Sequence, residues 1–354
     1  MGRPAPDPPS GDRPDPLGIV GNFNADIVLG PFDRMPEWDE ELTALSGGLW
    51  TAGAAGYLAL AAQALGVEPR IVSTLGDDAM GRLLLADLEA RGIPTGGISV
   101  LDGEASPLSV VVVGPGGRRG ILSVAGAHAR MDLSVYRARR DFLAACAEVV
   151  ICGSYLLPSL GPAQAVEVAR DARVRGQVVA FDPSWDPAGW PEATRQATLA
   201  LLAEVDVFLP NEAELCRLTG APTWEEGLRQ VARLCPETVV KLGSEGSAAP
   251  GAADAAPRPR EGKGAGGGGD IVRVPALKVR GVNSIGAGDC FDAAYLWARR
   301  QGWPMFRRLA FANAYAGLVV ARTRREGEAP GSGYPTAEEA LAAAGRSRPY
   351  RSSV

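Results

Sequence analysis

A glycine-rich turn followed directly by an aspartate opens a helical pattern near the C-terminal end of the chain. The run is Gly286-Ala287-Gly288-Asp289, and an amphipathic helical pattern starts at Phe291. Glycines let the backbone approach a ligand closely, and the free N–H groups of a helix N-terminus attract an anion. A carboxylate beside a bound phosphate is unfavourable unless it acts on the substrate, for example by deprotonating an attacking hydroxyl. The run therefore predicts a phosphoryl-transfer site, although Asp289 could instead be a plain helix cap.

A second polar group follows the strand predicted at Val205–Leu209. Asn211 starts the next helix and Glu214 stands three residues later, which is close to the spacing of a capping box. The same side chains could instead hold Mg²⁺ through waters near nucleotide phosphates, because Mg²⁺ keeps most of its waters and needs few protein ligands. Both interpretations stay open.

Two weaker patterns also follow strands. Lys241 is followed by Gly243 and Gly246, which form a turn on which a nucleotide could rest. Asn24 and Asp26 alternate to one side after the first strand. Paired polar groups of this kind suit sugar hydroxyls, although a plain polar turn fits equally well.

Composition and charge narrow the class of protein. The chain has 354 residues, 46% of them apolar and 22% charged, with a formal net charge of −5 and no basic block in its body. These values predict a globular protein whose main partner is not nucleic acid. Five scattered cysteines without a C-x-x-C pair favour a reduced, cytoplasmic protein. His128 is the only histidine, which disfavours histidine-dependent triads and metal sites, and it is interpreted as a loop or lid residue.

Several segments are expected to lie outside the regular structure. Residues 1–16 contain six prolines and no apolar run, so we expect a disordered tail and no signal peptide. The low-complexity stretch 248–270 is interpreted as a flexible surface insertion, and 346–354 as a polar tail. Leu42–Val67 has no charged residue, but its many glycines and alanines favour a helix buried against a sheet over a membrane span.

Strand-like runs alternate with helical patterns along the chain. This alternation predicts βαβ units, a mostly parallel sheet with helices on both faces, and ligands beyond the carboxyl ends of the strands. In 99–124, short strands without intervening helices predict a small antiparallel flap. The predicted strands of the body are Gly18–Gly21, Arg70–Leu75, Glu148–Cys152, Gln177–Phe181, Val205–Leu209 and Thr238–Leu242, and the predicted helices are Ala54–Leu65, Ala79–Arg91, Ala163–Val174, Thr194–Ala203, Glu212–Leu218, Gly288–Arg300, Met305–Arg322 and Ala337–Ala344.

Taken together and in this order, the four polar patterns resemble the PfkB carbohydrate kinase family, also called ribokinase-like. The most specific matches are Asn283–Phe291 and Leu209–Gly220, and Thr74–Gly81 is also typical. The resemblance covers roughly Leu17 to Ala344. It implies a single domain over 17–345 with a three-layer α/β/α sandwich and a small antiparallel β lid, formed mainly by about 24–46 and 99–124.

The resemblance also implies an ATP- and Mg²⁺-dependent kinase that phosphorylates a primary hydroxyl of a sugar or sugar derivative. Asp289 would be the general base and the backbone of Gly286, Ala287 and Gly288 the anion hole. Asn211 and Glu214 would organise Mg²⁺ through water. The lid would exclude water and, as in many relatives, form a homodimer contact. Nucleotide-binding residues would be Asn211, Glu214, Lys241, Gly243, Gly246 and Asn313, and substrate-binding residues Asn24, Asp26, Gly47, Gly48, Gly53 and Tyr57.

Two departures from the family pattern affect these expectations. Asn283 stands where the family usually has aspartate, so the monovalent cation site is weakened and activation by K⁺ is in doubt. The first signature, usually Gly-Gly, three residues and Asn, aligns Tyr57 with that Asn, or else keeps its glycine pair as Gly47-Gly48. The acceptor is therefore open: a free sugar is favoured, then a nucleoside, then a sugar phosphate bound through Arg118 and Arg119. A non-catalytic binding or regulatory protein on the same scaffold is the alternative.

Overall fold

The computed structural model describes residues 14–115, 118–251, 270–279, 284–322, 333–345 and 350–352. The strands, in chain order, are β1 (Leu17–Gly21), β2 (Asn24–Gly30), β3 (Ser46–Ala52), β4 (Pro69–Gly76), β5 (Ile98–Leu101), β6 (Leu108–Val113), β7 (Arg119–Val124), β8 (Glu148–Cys152), β9 (Val178–Asp182), β10 (Val207–Phe208), β11 (Glu237–Thr238), β12 (Val240–Lys241), β13 (Ser247–Pro250), β14 (Ile271–Val274) and β15 (Tyr350–Ser352). The α-helices are α1 (Gly53–Ala64), α2 (Ala79–Ala90), α3 (Leu133–Arg139), α4 (Pro162–Val174), α5 (Glu192–Leu202), α6 (Glu212–Thr219), α7 (Trp224–Val231), α8 (Ala287–Arg300), α9 (Met305–Arg322) and α10 (Ala337–Ala344).

The central sheet has seven parallel strands in the order β11-β10-β9-β8-β1-β4-β5. Its middle strands are buried on both faces, which explains their continuous apolar runs. Alternate residues of each strand enter two separate cores: Ile19 packs with α1, α8 and α9, whereas Val20 packs with α4, α5 and α7. The predicted α/β sandwich with helices on both faces is confirmed.

A second sheet, of four strands in the order β3-β2-β6-β7, forms the lid. Its inner face carries Asp26, Val28, Val111 and Val113 and packs against Tyr57 of α1. Its outer face carries the alternate residues, of which Leu122 is 63% exposed. The lid is mixed rather than antiparallel, because β2 and β6 run parallel.

The structure corrects several expected boundaries in the first half of the chain. The expected flap included Ser99–Leu101, but these residues lie in β5, the edge strand of the central sheet. The uncharged stretch from Leu42 is not one helix, because 46–52 pairs along its length with β2 as β3. Trp50 and Ala52 are buried on one side of β3 while Leu49 is 41% exposed on the other, and this period of two belongs to a strand.

Two expected boundaries near the C-terminal end also change. A third sheet, β12-β13-β14-β15, includes the first residues of the expected insertion, since Ala248 and Ala249 are fully buried in β13. Part of the expected C-terminal tail pairs with β14 as β15. The remainder of the insertion, 252–269, and the tail 1–13 lie outside the described residues. Within the parts of the chain that the structure describes, no helix is long and apolar enough to cross a membrane.

Candidate active site

Several polar residues, most of them singled out in the sequence, meet at the carboxyl edge of the central sheet. Asp182 is the last residue of β9, Asn211 follows β10, and Lys241 ends β12. The N-terminus of α8, which carries Asp289 in its first turn, faces the same edge. Parallel sheets place their binding sites in this position, because loops from neighbouring strands converge there.

Asp289 is partly exposed to solvent rather than turned into a core. Its surroundings raise its pKa well above the ordinary value, chiefly through burial of the carboxyl group and then through repulsion by Asp182 and Glu214. The Lys241 ammonium opposes that shift. Asp289 is thus accessible and basic, which are the two properties a general base requires.

The N-terminus of α8 is open. Its N-cap is Gly286, at φ 70°, and no side chain caps the helix. The N–H of Ala287 donates to the Ser284 carbonyl at 3.2 Å, so this amide is engaged, contrary to the expectation of three free donors. The N–H of Gly288 has no acceptor among the described residues, and the positive end of the helix dipole adds to its attraction for an anion.

Lys241 is the positive centre of the site. Its Nζ lies 3.2 Å from Asp182 Oδ2 and 2.9 Å from Asp292 Oδ2, and all three side chains are nearly buried. Burial acts to lower the pKa of Lys241, but attraction by Asp182, Asp292 and Glu214 outweighs it and raises the pKa. A Cβ built on Gly288 would lie 3.8 Å from Nζ, so the ammonium sits beside the open end of α8.

Asp182 and Asp292 were not among the site residues predicted from the sequence. Both could have been found, because Asp182 directly follows a predicted strand and Asp292 lies one helical turn after Asp289.

Asn211 and Glu214 do form the capping box that their spacing allows. Asn211 Oδ1 accepts the Glu214 N–H at 2.9 Å, and Glu214 Oε2 accepts the Asn211 N–H at 2.8 Å. Glu214 is nevertheless only 5% exposed. Burial, followed by repulsion from Asp182, raises its pKa to about 7. A cap does not require such a buried carboxylate, so the helix cap alone does not explain this residue.

The charge balance of the cluster fits a divalent cation bound with a nucleotide. Four carboxylates, those of Asp182, Glu214, Asp289 and Asp292, surround the single Lys241 ammonium. The described residues contain no group of three or more side chains placed to ligate a metal directly. The arrangement therefore suits Mg²⁺ held largely by water and phosphate oxygens.

The inner face of the lid supplies a second polar group. Asp26 Oδ2 accepts the Tyr57 hydroxyl at 2.8 Å, and Asp26 Oδ1 accepts the Asn24 amide at 2.7 Å. Burial raises the pKa of Asp26 to about 6, although both hydrogen bonds act to lower it. The Tyr57 ring packs on Gly286, where a Cβ would come within 2.6 Å of the ring. Tyr57 therefore links Asp26 of the lid to the start of α8.

The three expected substrate glycines have different positions. Gly48 lies on the inner face of the lid opposite Val28, whereas Gly47 lies on the outer face, packed on Leu29 and away from the cleft. Gly53 begins α1 at φ 77°, and a Cβ there would meet Asn24 Oδ1 at 2.5 Å. Gly53 thus permits close packing behind Asn24.

The expected nucleotide residues cluster at the start of the third sheet. Gly243 and Gly246 both have positive φ and flank a short 3₁₀ turn. Gly246 packs tightly on the Val274 carbonyl. The same carbonyl accepts a hydrogen bond from Asn313 Nδ2 at 2.9 Å. Asn313 thus holds the main chain beside the turn. Asn283, the expected monovalent cation residue, lies outside the described residues.

The chain belongs to the pfkB family of carbohydrate kinases, whose family model matches residues 26–327. It is 28% identical to a ribokinase of Arabidopsis thaliana, covering 86% of this chain and 76% of that protein. It is 28% identical to fructokinase-1 of Zea mays over 82% and 86% of the two chains. Its fold resembles that of an E. coli chain solved in complex with ATP and Mg²⁺, with a TM-score of 0.75 at 23% identity over 94% and 99% of the chains. The predicted family and enzyme class are confirmed.

Proposed function

We propose that the protein transfers the γ-phosphate of ATP to a primary hydroxyl of a sugar or sugar derivative. The observation that carries the proposal is the placement of Asp289 beside the uncapped end of α8, with Tyr57 linking that end to Asp26. The relatives named for ribose and fructose support a sugar as the acceptor.

In this proposal the acceptor lies between the lid and α8. Asp26 and Asn24 bind its hydroxyl groups, and Asp289 takes the proton of the hydroxyl that attacks the phosphate. The N–H of Gly288 and the dipole of α8 stabilise the negative charge of the migrating group. Closure of the lid excludes water, so that ATP is not hydrolysed.

The nucleotide occupies the other side of the same edge. Gly243 and Gly246 line its turn, and Asn313 holds that turn in place. Lys241 faces the phosphates from beside Gly288. Glu214 and Asn211 would hold Mg²⁺ through water, and the ion would neutralise phosphate charge when bound.

We also propose that the protein forms a homodimer and works in the cytoplasm. The outer face of the lid exposes Leu49, Leu122 and Val124, and this apolar patch supports a homodimer formed lid to lid. All five cysteines are free thiols, which supports a reducing, cytoplasmic location.

The test is Mg²⁺- and ATP-dependent phosphorylation measured over a panel of sugars and nucleosides. In Asp289→Asn, kcat should fall by about 10²–10⁴-fold because the base is lost, while ATP binding persists. The matched control is Asp141→Asn, since the Asp141 side chain is 93% exposed and faces Arg175, which lies after α4 and away from the carboxyl edge of the sheet. Near-normal turnover by Asp289→Asn, or no product from any acceptor, would contradict the proposal.

A further inference from the structure

Arg119, the first residue of β7, lies on the inner face of the lid. It pairs directly with Val113 across the β6–β7 ladder, and directly paired residues project to the same face. Val113 is 1% exposed and belongs to the cluster around Tyr57. The pair Ser109 and Ser123, four residues along the same ladder, confirms this register, because their hydroxyl oxygens are 2.9 Å apart.

Arg119 carries a positive charge, and none of the described residues pairs it with an opposite one. Its side chain is exposed, and no carboxylate lies within ion-pair distance of it in the described ranges. Arg34, in the loop that follows β2, is paired with Glu40.

The guanidinium lies within electrostatic range of the reaction centre. Partial burial of the guanidinium lowers the pKa of Arg119. Electrostatic attraction by Tyr57 and Asp289 acts to raise it. Without Arg119, the acceptor would face two carboxyl groups, Asp26 and Asp289, and no positive charge from the lid. Such a pocket would repel an anionic acceptor.

We propose that Arg119 binds a phosphate or carboxylate group on the acceptor, so that the preferred substrate is a sugar phosphate or sugar acid. The inference rests on the proposed kinase function and names its substrate class. It also reverses the order favoured by the sequence, which placed free sugars first.

The geometry separates this anion from the phosphate that is transferred. The transferred phosphate has its own positive groups, the end of α8 and Lys241 beside Gly288. Arg119 instead stands at the level of Val113, four residues along the lid from Asp26 by strand register. Four residues of strand span about 13 Å, and the two strand spacings from β2 to β7 add about 10 Å across the sheet, so the two Cα atoms are about 16 Å apart. An arginine side chain and a five- or six-carbon sugar together bridge that distance, with the hydroxyls at Asp26 and the anion at Arg119.

The experiment compares acceptors in pairs that differ in charge: ribose with ribose 1-phosphate, fructose with fructose 1-phosphate, and glucose with gluconate. Each acceptor is assayed with wild type, Arg119→Gln, Arg119→Lys and the control Arg137→Gln, which changes an arginine of α3 whose side chain is 58% exposed. We expect wild type to prefer the charged member of at least one pair. Arg119→Gln should raise KM for that acceptor by about 10–100-fold, the value of a charged hydrogen bond, and leave the uncharged partner unchanged. Arg119→Lys should recover part of the loss.

Two results would overturn the inference. One is a preference for uncharged acceptors that Arg119→Gln does not alter. The other is an equal fall in kcat for every acceptor in Arg119→Gln, which would place the guanidinium on the transferred phosphate.

A calorimetric arm without nucleotide separates this inference from the proposed function. Binding of ribose 1-phosphate, fructose 1-phosphate or gluconate that is lost in Arg119→Gln supports the anion site even where no turnover occurs. Absent turnover would then count against the kinase proposal alone. If none of the three charged acceptors binds or reacts, the anion site is wrong.

Discussion

Tyr57 contacts both the lid and the start of α8, the two parts of the protein that border the site. Its hydroxyl donates to Asp26 at 2.8 Å, while its ring packs on Gly286 at the start of α8. One of the two alignments of the first signature places the family's asparagine at this position. An aromatic ring there fills space that a small amide would leave for the acceptor, so Tyr57 narrows the pocket and fixes the direction of Asp26.

The contact between Tyr57 and Gly286 gives a test with a matched control. In Gly286→Ala the new Cβ would lie 2.6 Å from the ring, in a backbone with φ 70°. Gly302→Ala introduces the same kind of strain, at φ 65°, with no atom within 4 Å. Each change should cost about 1–2 kcal/mol of stability from the left-handed conformation.

The two variants should differ in turnover. Gly286→Ala should also lose about 10²-fold in kcat/KM, because the ring and Asp26 are displaced. Urea unfolding and steady-state kinetics measure the two effects. Equal activity of Gly286→Ala and Gly302→Ala would show that the ring contact does not position the site.

Single site residues were predictable from the sequence where they come directly after a strand or open a helix. Asp26, Glu214, Lys241 and Asp289 were singled out in this way, and the structure brings them near the start of α8. The position of Asp292 one helical turn after Asp289 was readable from the sequence, but its contact with Lys241, 51 positions away in the chain, was not. The outward position of Gly47 depends on pairing with β2, which the uncharged stretch around it did not reveal.

Among the elements, α6 has both a structural and a proposed catalytic role, and α10 offers a comparison. Both helices begin with a complete capping box, Asn211 with Glu214 and Thr336 with Glu339. Glu214 is buried beside Asp182, whereas Glu339 is exposed. The same motif therefore appears once in the cleft and once at the surface.

Replacing each glutamate by glutamine separates the two roles of α6. Glutamine maintains a capping box, so neither Glu214→Gln nor Glu339→Gln should lose a helix. Only Glu214→Gln removes a carboxylate from the cluster around Lys241. We expect it to raise the Mg²⁺ concentration for half-maximal turnover by about tenfold, the effect of losing a supporting metal contact. An unchanged Mg²⁺ dependence would leave Glu214 as a helix cap only.

The elements that the sequence located best are those with one clear period. Helices α4, α8, α9 and α10 and the middle strands of the central sheet lie within two residues of the predicted bounds. The lid was located less well. Its strands alternate between a small inner core and an apolar outer face, and glycines interrupt the pattern. The segment of β2 was therefore assigned to the lid without a strand being predicted there, and β3 was included in a stretch interpreted as a helix.

For the whole molecule, the apolar outer face of the lid predicts association. Leu122→Asp places a charge in the middle of this face, and the proposed dimer should dissociate because the charge would be buried at the interface. Val174→Asp is the control, since Val174 is 89% exposed at the end of α4, away from the lid. Sedimentation velocity should give a dimer for wild type and Val174→Asp and a monomer for Leu122→Asp. A monomeric wild type would contradict the proposal.

His128, the single histidine of the chain, contributes to how the stability of the whole molecule responds to acid. His128 is only 3% exposed, and its Nε2 lies 3.2 Å from both the N–H and the carbonyl oxygen of Phe23, so the protonated ring can donate to that carbonyl. Burial lowers the pKa of His128 to about 4, although the hydrogen bond with Phe23 acts to raise it. The folded protein therefore binds fewer protons than the unfolded chain between that value and about 6.5.

Stability from His128 is complete above a pH of about 6.5 and is lost as the pH falls towards 4, by up to about 3 kcal/mol. Asp26 acts in the opposite direction, because its pKa of about 6 in the folded protein lies above the ordinary value of 3.8. Its contribution to the free energy of unfolding therefore grows as the pH falls through 6.

In His128→Asn the loss of stability at low pH should disappear, and the unfolding free energy should rise relative to wild type as the pH is lowered from about 6.5 to about 4. In Asp26→Asn the wild-type loss should become steeper. Urea unfolding at a series of pH values from about 7 to about 4.5 measures all three proteins, and parallel pH profiles would show that neither group is buried as described.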